Sequence, residues 1–421
     1  MQVKNTPLAQ KPCPAPPLAA AITFLPLFKQ KASFTYQSLL SEVKEVLNPV
    51  GRNVEEQLAE RALANQRLVR ALHLSNTFVS SDAAVHKVFV AHAQHLLKGA
   101  QRRGWEQFRN TATEAVQWQL FSLTYQSAPS ESTKQLQEAT YGFDSFVQNV
   151  ALVVVLTGLL QVNRPLHLFP HNDVTLIAKH ITMLWALSKK GDPIPPILLE
   201  DLTARLHNLV RVNGEDDEQH LSSPLDFVIP AWETLWRVVA TTVAYTYGNK
   251  DMEEAFETFN ACPSDESFRL LHGDKPLSVK GIISEAMRLH PPSKHISRLR
   301  KWKWCPSFVA RWIGRETLAY RRQANIERLL RCEPLWGNDA DEFRPSRHHP
   351  FEGFPEQVEA MNFVFGHGPL RCIASSWAPV AGGVIAGAIL EQLELNSYEL
   401  HVGPSIGGRE GWTDWAVVKR I

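Results

Sequence analysis

The residues of this chain best suited to chemistry are Phe363-Val364-Phe365-Gly366-His367-Gly368-Pro369-Leu370-Arg371-Cys372-Ile373-Ala374, followed by an apolar, small-residue run from Trp377 to Leu390. Gly366 and Gly368 can take positive φ and bring main chain against a flat ligand with no Cβ in the way. Cys372 stands ahead of what reads as a helix N-terminus, whose positive dipole end favours a thiolate. A thiolate shielded by apolar neighbours is a soft ligand suited to haem iron. A lone cysteine before a helix also serves as a small buried residue, and this stretch by itself leaves both readings open.

Three further clusters carry polar groups where they are costly. Pro224 to Tyr247 reads as a long apolar helix interrupted by Pro230, which removes a backbone donor and kinks the axis beside Ala231. Glu233-Thr234 follows at once; a carboxylate and a hydroxyl in an apolar helix must be paired or used, either moving protons or bonding locally to a carbonyl that Pro230 frees. Glu285 and Arg288 lie at i and i+3 on a helix from Ser278 to His290 that ends at Pro291-Pro292. Trp105 and Arg109 share a helix face at i and i+4, an indole donor beside a guanidinium that suits a carboxylate or simple packing of the ring on the Arg stem.

The elements that position these groups are mostly helical. Three- and four-residue apolar spacing predicts helices over 35–74, 83–97, 111–125, 143–162, 173–189, 195–212 and 321–331. Asn76 to Val79 reads as a short strand running into an N-cap at Asp82, and Ile296 to Trp304 as a second strand. Asn213 to His220 is an acidic run read as a solvated loop, and Glu333 to His349 is an aperiodic meander, unusual in a packed protein unless it covers something.

Composition excludes several functions. The 421 residues carry 44 Lys+Arg against 43 Asp+Glu, a balance that argues against nucleic acid as a partner. Five scattered cysteines without a C-x-x-C pair suit a reducing compartment. The apolar stretches Leu18 to Phe28 and Val150 to Leu160 are too short for a bilayer, so no transmembrane span is expected.

From about Asn76 onward these pieces resemble the cytochrome P450 superfamily. The Phe365 to Ala374 loop is similar to the family's F-G-x-G-x-R-x-C-x-G ligand loop, which makes Cys372 the proximal thiolate on haem b, with Phe365, Gly366, His367, Gly368 and Arg371 around the cofactor. Glu285-Ala286-Met287-Arg288 resembles the E-x-x-R helix, and 341–347 the meander whose arginine, here Arg347, completes a buried triad. Pro230-Ala231-Trp232-Glu233-Thr234 resembles the oxygen-activating A-G-x-[DE]-T segment, implying proton delivery by Thr234 and Glu233 next to Ala231. Trp105, Arg109 and Arg298 fall on positions that hold haem propionates in the family. Leu370 replaces a basic propionate contact, Ala374 a glycine, Ser346 and His348 the common Glu and Phe, and Pro230 an alanine.

The resemblance implies a mainly α fold with small β-sheets and haem between the central kinked helix and the helix after the cysteine loop. It implies a lead-in at 1–34 that is Pro-rich and apolar, then one domain over 35–421. The expected activity is oxidation of a lipophilic small molecule, as in secondary metabolism, using dioxygen and electrons from an NADPH-dependent flavoprotein reductase. A haem-thiolate isomerase, dehydratase or peroxygenase, or a haem-binding sensor, is the alternative. The expected location is the cytoplasm or the cytosolic face of the endoplasmic reticulum.

Overall fold

The computed structural model describes residues 35–126, 140–191, 193–210, 223–272, 277–301, 319–349 and 354–420. The lead-in at 1–34, the acidic run Asn213 to His220, Cys13, Cys305 and residues 302–304 of the second expected strand lie outside them.

The chain opens with α1 (Tyr36–Leu47), α2 (Val54–Ala64) and α3 (Gln66–Leu72), then the long α4 (Ala83–Gln126). Gly104 interrupts α4 with φ 81°, so Trp105 begins a new helical axis. After β1 (Thr140–Gly142) come α5 (Phe143–Val154), α6 (His171–Ser188) and α7 (Pro196–Val210). The expected central helix is present as α8 (Leu225–Trp232) and α9 (Leu235–Thr246), broken at Glu233-Thr234. α10 (Lys250–Ala261) and α11 (Val279–Leu289) lead to β2 (His295–Lys301), β3 (Ala319–Asn325), α12 (Ile326–Leu330) and α13 (Glu333–Trp336). α14 (Pro355–Asn362), the cysteine loop, α15 (Ala378–Leu395), β4 (Tyr398–His401) and β5 (Ala416–Lys419) complete it.

The core is a helix bundle. α15 packs on α4, α9 and α10, while α5 packs on α4, α6 and α9. Ten consecutive-face and cross-face residues of α5, from Phe143 through Val154, are buried, which is why this helix is apolar all round. α15 achieves close approach with small residues; a Cβ at Gly387 would strike the Asn260 amide. By length and composition α15 is able to cross a membrane, a departure from the sequence reading, yet most of it is buried inside the protein.

Two antiparallel sheets flank the bundle, β1-β5-β4 and β2-β3. In the second, Arg298 lies opposite Arg322. Two local expectations fail. Residues 76–79 form a turn rather than a strand, held by Asn76 Oδ1 accepting from the Phe78 amide at 3.0 Å. Residues 319–325 are strand, with only Ile326–Leu330 helical, because pairing with β2 outweighs a helical pattern drawn from long Arg and Gln side chains.

Candidate active site

The cysteine loop is shaped by its own backbone. Phe363–Phe365 makes one 3-10 turn, and Gly366, at φ 79°, donates to the Phe363 carbonyl at 2.9 Å. The Cys372 amide then donates back to the Phe365 carbonyl at 2.7 Å, and Arg371 to Gly368 at 3.1 Å, closing the loop. Gly368, at φ 71°, rests so closely on Asn48, in the α1–α2 turn, that no Cβ fits between them.

Cys372 is solvent-accessible, yet desolvation pushes its thiol up from the ordinary value, opposed by the Ala374 amide donating to sulfur. α15 starts at Ala378, separated from Cys372 by turns over 373–377. The expected dipole of that helix end therefore gives way to the local Ala374 amide and the nearby Arg371 charge as the groups that lower the thiol. His367 meets the Phe363 ring edge-on at 5.4 Å, and the exposed Arg371 donates to Asn362 Oδ1 at 3.2 Å.

Two buried arginines sit on the neighbouring elements. α2 packs against both β2 and the 368–370 turn, and it carries Arg61; β2 carries Arg298. Arg61 Nη2 donates to the Thr77 carbonyl at 2.7 Å and Oγ1 at 2.5 Å, while its Nε has no partner among the described residues. Arg298 donates from Nη1 to the Ser297 carbonyl at 3.1 Å. Burial first, and then the repulsion of Arg298, lower Arg61 to about 9. Burial lowers Arg298 to about 10 against the pull of Glu60. Glu60 is itself engaged by Arg300, at 2.7 Å and 3.4 Å. Two desolvated guanidiniums of like charge are stable only beside an anion, and the carboxylates of a haem are of the right chemistry and number. The donor set fits the cofactor.

Trp105 and Arg109 have other partners. Arg109 Nη2 grips Glu391 of α15 at 2.9 Å and 3.2 Å, and Trp105 stacks on Trp377 at 5.9 Å with its Nε1 3.3 Å from Asp265. The new axis set by Gly104 aims this face along α15, and Arg61 is a second buried arginine beside Arg298.

Glu285, Arg288 and Arg347 converge in the interior. Arg288 donates to both Glu285 oxygens at 2.8 Å and Arg347 Nε to Oε1 at 2.9 Å; Glu285 and Arg288 have no exposed surface. The Arg344 amide, at 3.0 Å, and His348 Nε2, at 2.8 Å, complete the shell of Glu285. Burial works to raise its carboxyl, but the bonds from Arg288 and His348 prevail and hold it at about 2. Burial lowers His348, against the pull of its bond to Glu285. The turn around 333–349 covers this cluster: Arg288 Nη1 also reaches the Leu330 and Ala340 carbonyls, at 2.8 Å and 2.6 Å.

At the central kink, Pro230 cannot donate to the Asp226 carbonyl, and Asn76 Nδ2 does so instead at 2.8 Å. The freed carbonyl is thus neither exposed nor used by Thr234. The break one turn later leaves the Thr234 side chain half-buried with no hydrogen-bond partner among the described residues. Glu233 is 2% exposed and is held by Arg409 and, at 3.5 Å, by Arg237. Trp232 turns away, donating to the Gln148 carbonyl at 2.9 Å. Arg61, Arg409, His348 and Asn76 escape a sequence reading because each lies far along the chain from its partner, whereas Arg237 is one helical turn from Glu233 and is visible at i,i+4 spacing.

The described fold matches solved haem domains. The haem domain of cytochrome P450DA superposes with a TM-score of 0.56 and 15% identity, covering 91% of both chains. A bifunctional cytochrome P450/NADPH–P450 reductase of Bacillus cereus is 24% identical over 203 residues, 47% of this chain and 18% of that one. Cytokinin hydroxylase of Arabidopsis thaliana is 26% identical over 164 residues, 38% of this chain and 29% of its own. The 11-oxo-beta-amyrin 30-oxidase of Glycyrrhiza uralensis is 29% identical over 133 residues, 30% of this chain and 24% of its own. The matched part thus spans less than a third of each of these curated relatives. No family model matches the chain. The chain shares the fold of these haem domains and is similar in sequence, over part of its length, to cytochrome P450 enzymes.

Proposed function

We propose that this protein is a haem-thiolate monooxygenase that oxidises a lipophilic small molecule with dioxygen and electrons from an NADPH-dependent flavoprotein reductase. The observation that carries the proposal is the buried Arg61–Arg298 pair, short of carboxylate, on elements that adjoin the loop of Cys372. Cys372 would hold the iron, Arg61 and Arg298 would hold the propionates, and the loop at Phe365, Gly366, His367 and Gly368 would pack on the cofactor. When bound, haem supplies the dioxygen activation and substrate oxidation. Thr234, its hydroxyl uncommitted, is the group placed to hold a proton at the kink beside Ala231; Glu233, tied to two arginines, fixes the kink and the local charge. Three partly matched bacterial relatives named bifunctional cytochrome P450/NADPH–P450 reductases, one of Bacillus cereus and two of Bacillus subtilis, support a reductase as electron donor. Residues 35–421 would form one such domain after a lead-in at 1–34. The three described cysteines are free thiols, which suits action in the cytoplasm or at the cytosolic face of the endoplasmic reticulum.

The commitment of Glu233 to Arg237 and Arg409 favours a second reading, a haem-thiolate isomerase, dehydratase or peroxygenase that needs no reductase. Expression with and without a reductase, followed by metabolite comparison and a reduced-carbonyl spectrum, separates the two. A thiolate-type spectrum with reductase-dependent product supports the monooxygenase; product independent of the reductase overturns it in favour of the second reading.

A further inference from the structure

α4 bends at Gly104, and beside that elbow lies a recess of about 290 Å³ between α4 and the chain that follows α5. Three backbone irregularities build it. Gly104 takes φ 81°, Val155–Leu159 widens from the end of α5 into one π-helical turn, and Gln161, with φ 60°, stands in the left-handed region that residues with a Cβ rarely adopt. Such backbone is costly and persists only where its surroundings over-determine it. Here glycines on each wall do so. A Cβ at Gly158 would lie 2.8 Å from the Phe108 ring of α4, and one at Gly99 would strike the Gln161 amide. These two contacts set the spacing of the walls.

The lining is mostly polar. Arg103 Nη2 donates to the Gly158 carbonyl at 2.5 Å, which ties the guanidinium to the facing wall. Its Nε and Nη1 have no partner among the described residues, and no carboxylate there lies within ion-pair distance of it. The side-chain amides of Gln107, from α4, and of Gln161 and Asn163, from the facing wall, are likewise without partners among the described residues. Ala100 and Phe108, each 5% exposed, supply the apolar part. One fixed cation, three free amides and no acid in the lining suit neither a cation nor a lipophilic molecule. A guanidinium held in place takes an oxyanion, and a phosphoryl group offers it three acceptor oxygens and close to two charges near neutrality. Amides both donate and accept, as the hydroxyls of a sugar require. The volume is at the small end for ligand sites, which limits the body to about a pentose.

We infer that this recess is a second binding site, for a small hydrophilic phosphate ester of the sugar-phosphate class, with the phosphoryl group on Arg103 and the hydroxyls on Gln107, Gln161 and Asn163. None of these residues belongs to the cysteine loop, the central kink or the Arg61–Arg298 pair, so the site stands whether or not the proposed oxidation does. Phe108 meets the Trp377 ring edge-on at 5.3 Å, which puts an indole reporter next to the lining.

The test titrates ribose 5-phosphate, ribose and inorganic phosphate into the full chain loaded with haem, followed by calorimetry and by Trp fluorescence. Ribose 5-phosphate is expected to bind at least about tenfold more tightly than either of the others, and its advantage over ribose to shrink with added salt. Arg103→Gln is expected to bring the sugar phosphate down to the level of ribose, and Arg103→Lys to restore part of the difference. Gln161→Asn, which left-handed backbone tolerates, draws one amide back and is expected to weaken the sugar phosphate about threefold while leaving inorganic phosphate unchanged. Equal binding of ribose and its phosphate, equal binding of phosphate with and without the sugar, an affinity indifferent to Arg103→Gln, or no binding of ribose 5-phosphate overturns the site. Should Arg103→Gln fail to fold, Gln161→Asn carries the same test.

Discussion

Asn76 donates its side-chain amide to the carbonyl of Asp226, the group that Pro230 leaves without a helical partner. Asp226 in turn accepts from the Ser75 and Asn76 amides at 2.9 Å and 3.2 Å, so the turn before α4 is fastened to the central helix. Asn76→Ala is expected to cost about 1–3 kcal/mol, the loss typical of an orphaned buried polar group. Pro230→Ala restores the helical donor, so the double variant is expected to recover part of that loss in urea unfolding. A purely additive pair would show that the two positions are not linked through this carbonyl.

Glu285 provides a pH signature. Its carboxyl is depressed from 4.5 to about 2, so the stability it contributes is full above the unfolded value and is lost as pH falls through the folded one. Acid unfolding of the wild type is expected to draw on this group between roughly pH 4.5 and 2. Glu285→Gln leaves Arg288 and Arg347 uncompensated and is expected to cost about 3–5 kcal/mol near neutrality, with a flatter acid limb in a pH series of melts.

Arg298→Leu separates cofactor binding from folding. Removing one of two buried like charges is expected to leave the haem-free protein as stable or more so, because among the described residues Arg298 gives up one hydrogen bond, to the Ser297 carbonyl, and the pull of Glu60. Haem affinity is expected to fall about tenfold for the lost charge-assisted contact. Parallel haem titration and thermal melting of the haem-free form check the opposite signs; a destabilised haem-free form with unchanged haem affinity would contradict the propionate role.

The thiol of Cys372 is raised by burial, so haem binding, which needs the thiolate, is expected to strengthen as pH rises toward that value. Cys372→Ser is expected to abolish the thiolate-type carbonyl spectrum and to flatten the pH dependence of haem titration. A spectrum that survives the substitution removes Cys372 as ligand.

Thr234→Ala is expected to retain haem and the carbonyl spectrum while reducing equivalents pass to free hydrogen peroxide instead of product. The ratio of product to NADPH consumed is the measurement, and an unchanged ratio would remove Thr234 from proton handling.

Local chemistry was legible from the residues and long-range chemistry was not. The cysteine loop, the Glu285–Arg288 pair and the broken central helix are encoded within a few residues each, where spacing alone places the groups. Arg61 reveals nothing in its own helix, since its significance comes from Arg298, which a different sheet delivers. Trp105 and Arg109 illustrate the converse: their spacing is right for a clamp, but Gly104 redirects the axis and Glu391 takes the guanidinium. The Ala319–Asn325 strand was misread because its residues favour either state until β2 is present to pair with it.

Gly368 leaves no room for a side chain against Asn48, and the two lie at opposite ends of the described chain. A ribosome exposes α1 well before the cysteine loop, so the loop's seat is made first and stays without an occupant until the loop emerges. Closing so long a loop is slow, and it sets cofactor capture late, after the bundle that supports it has been made. Assembly of this protein should then be timed by the arrival of one glycine at one asparagine.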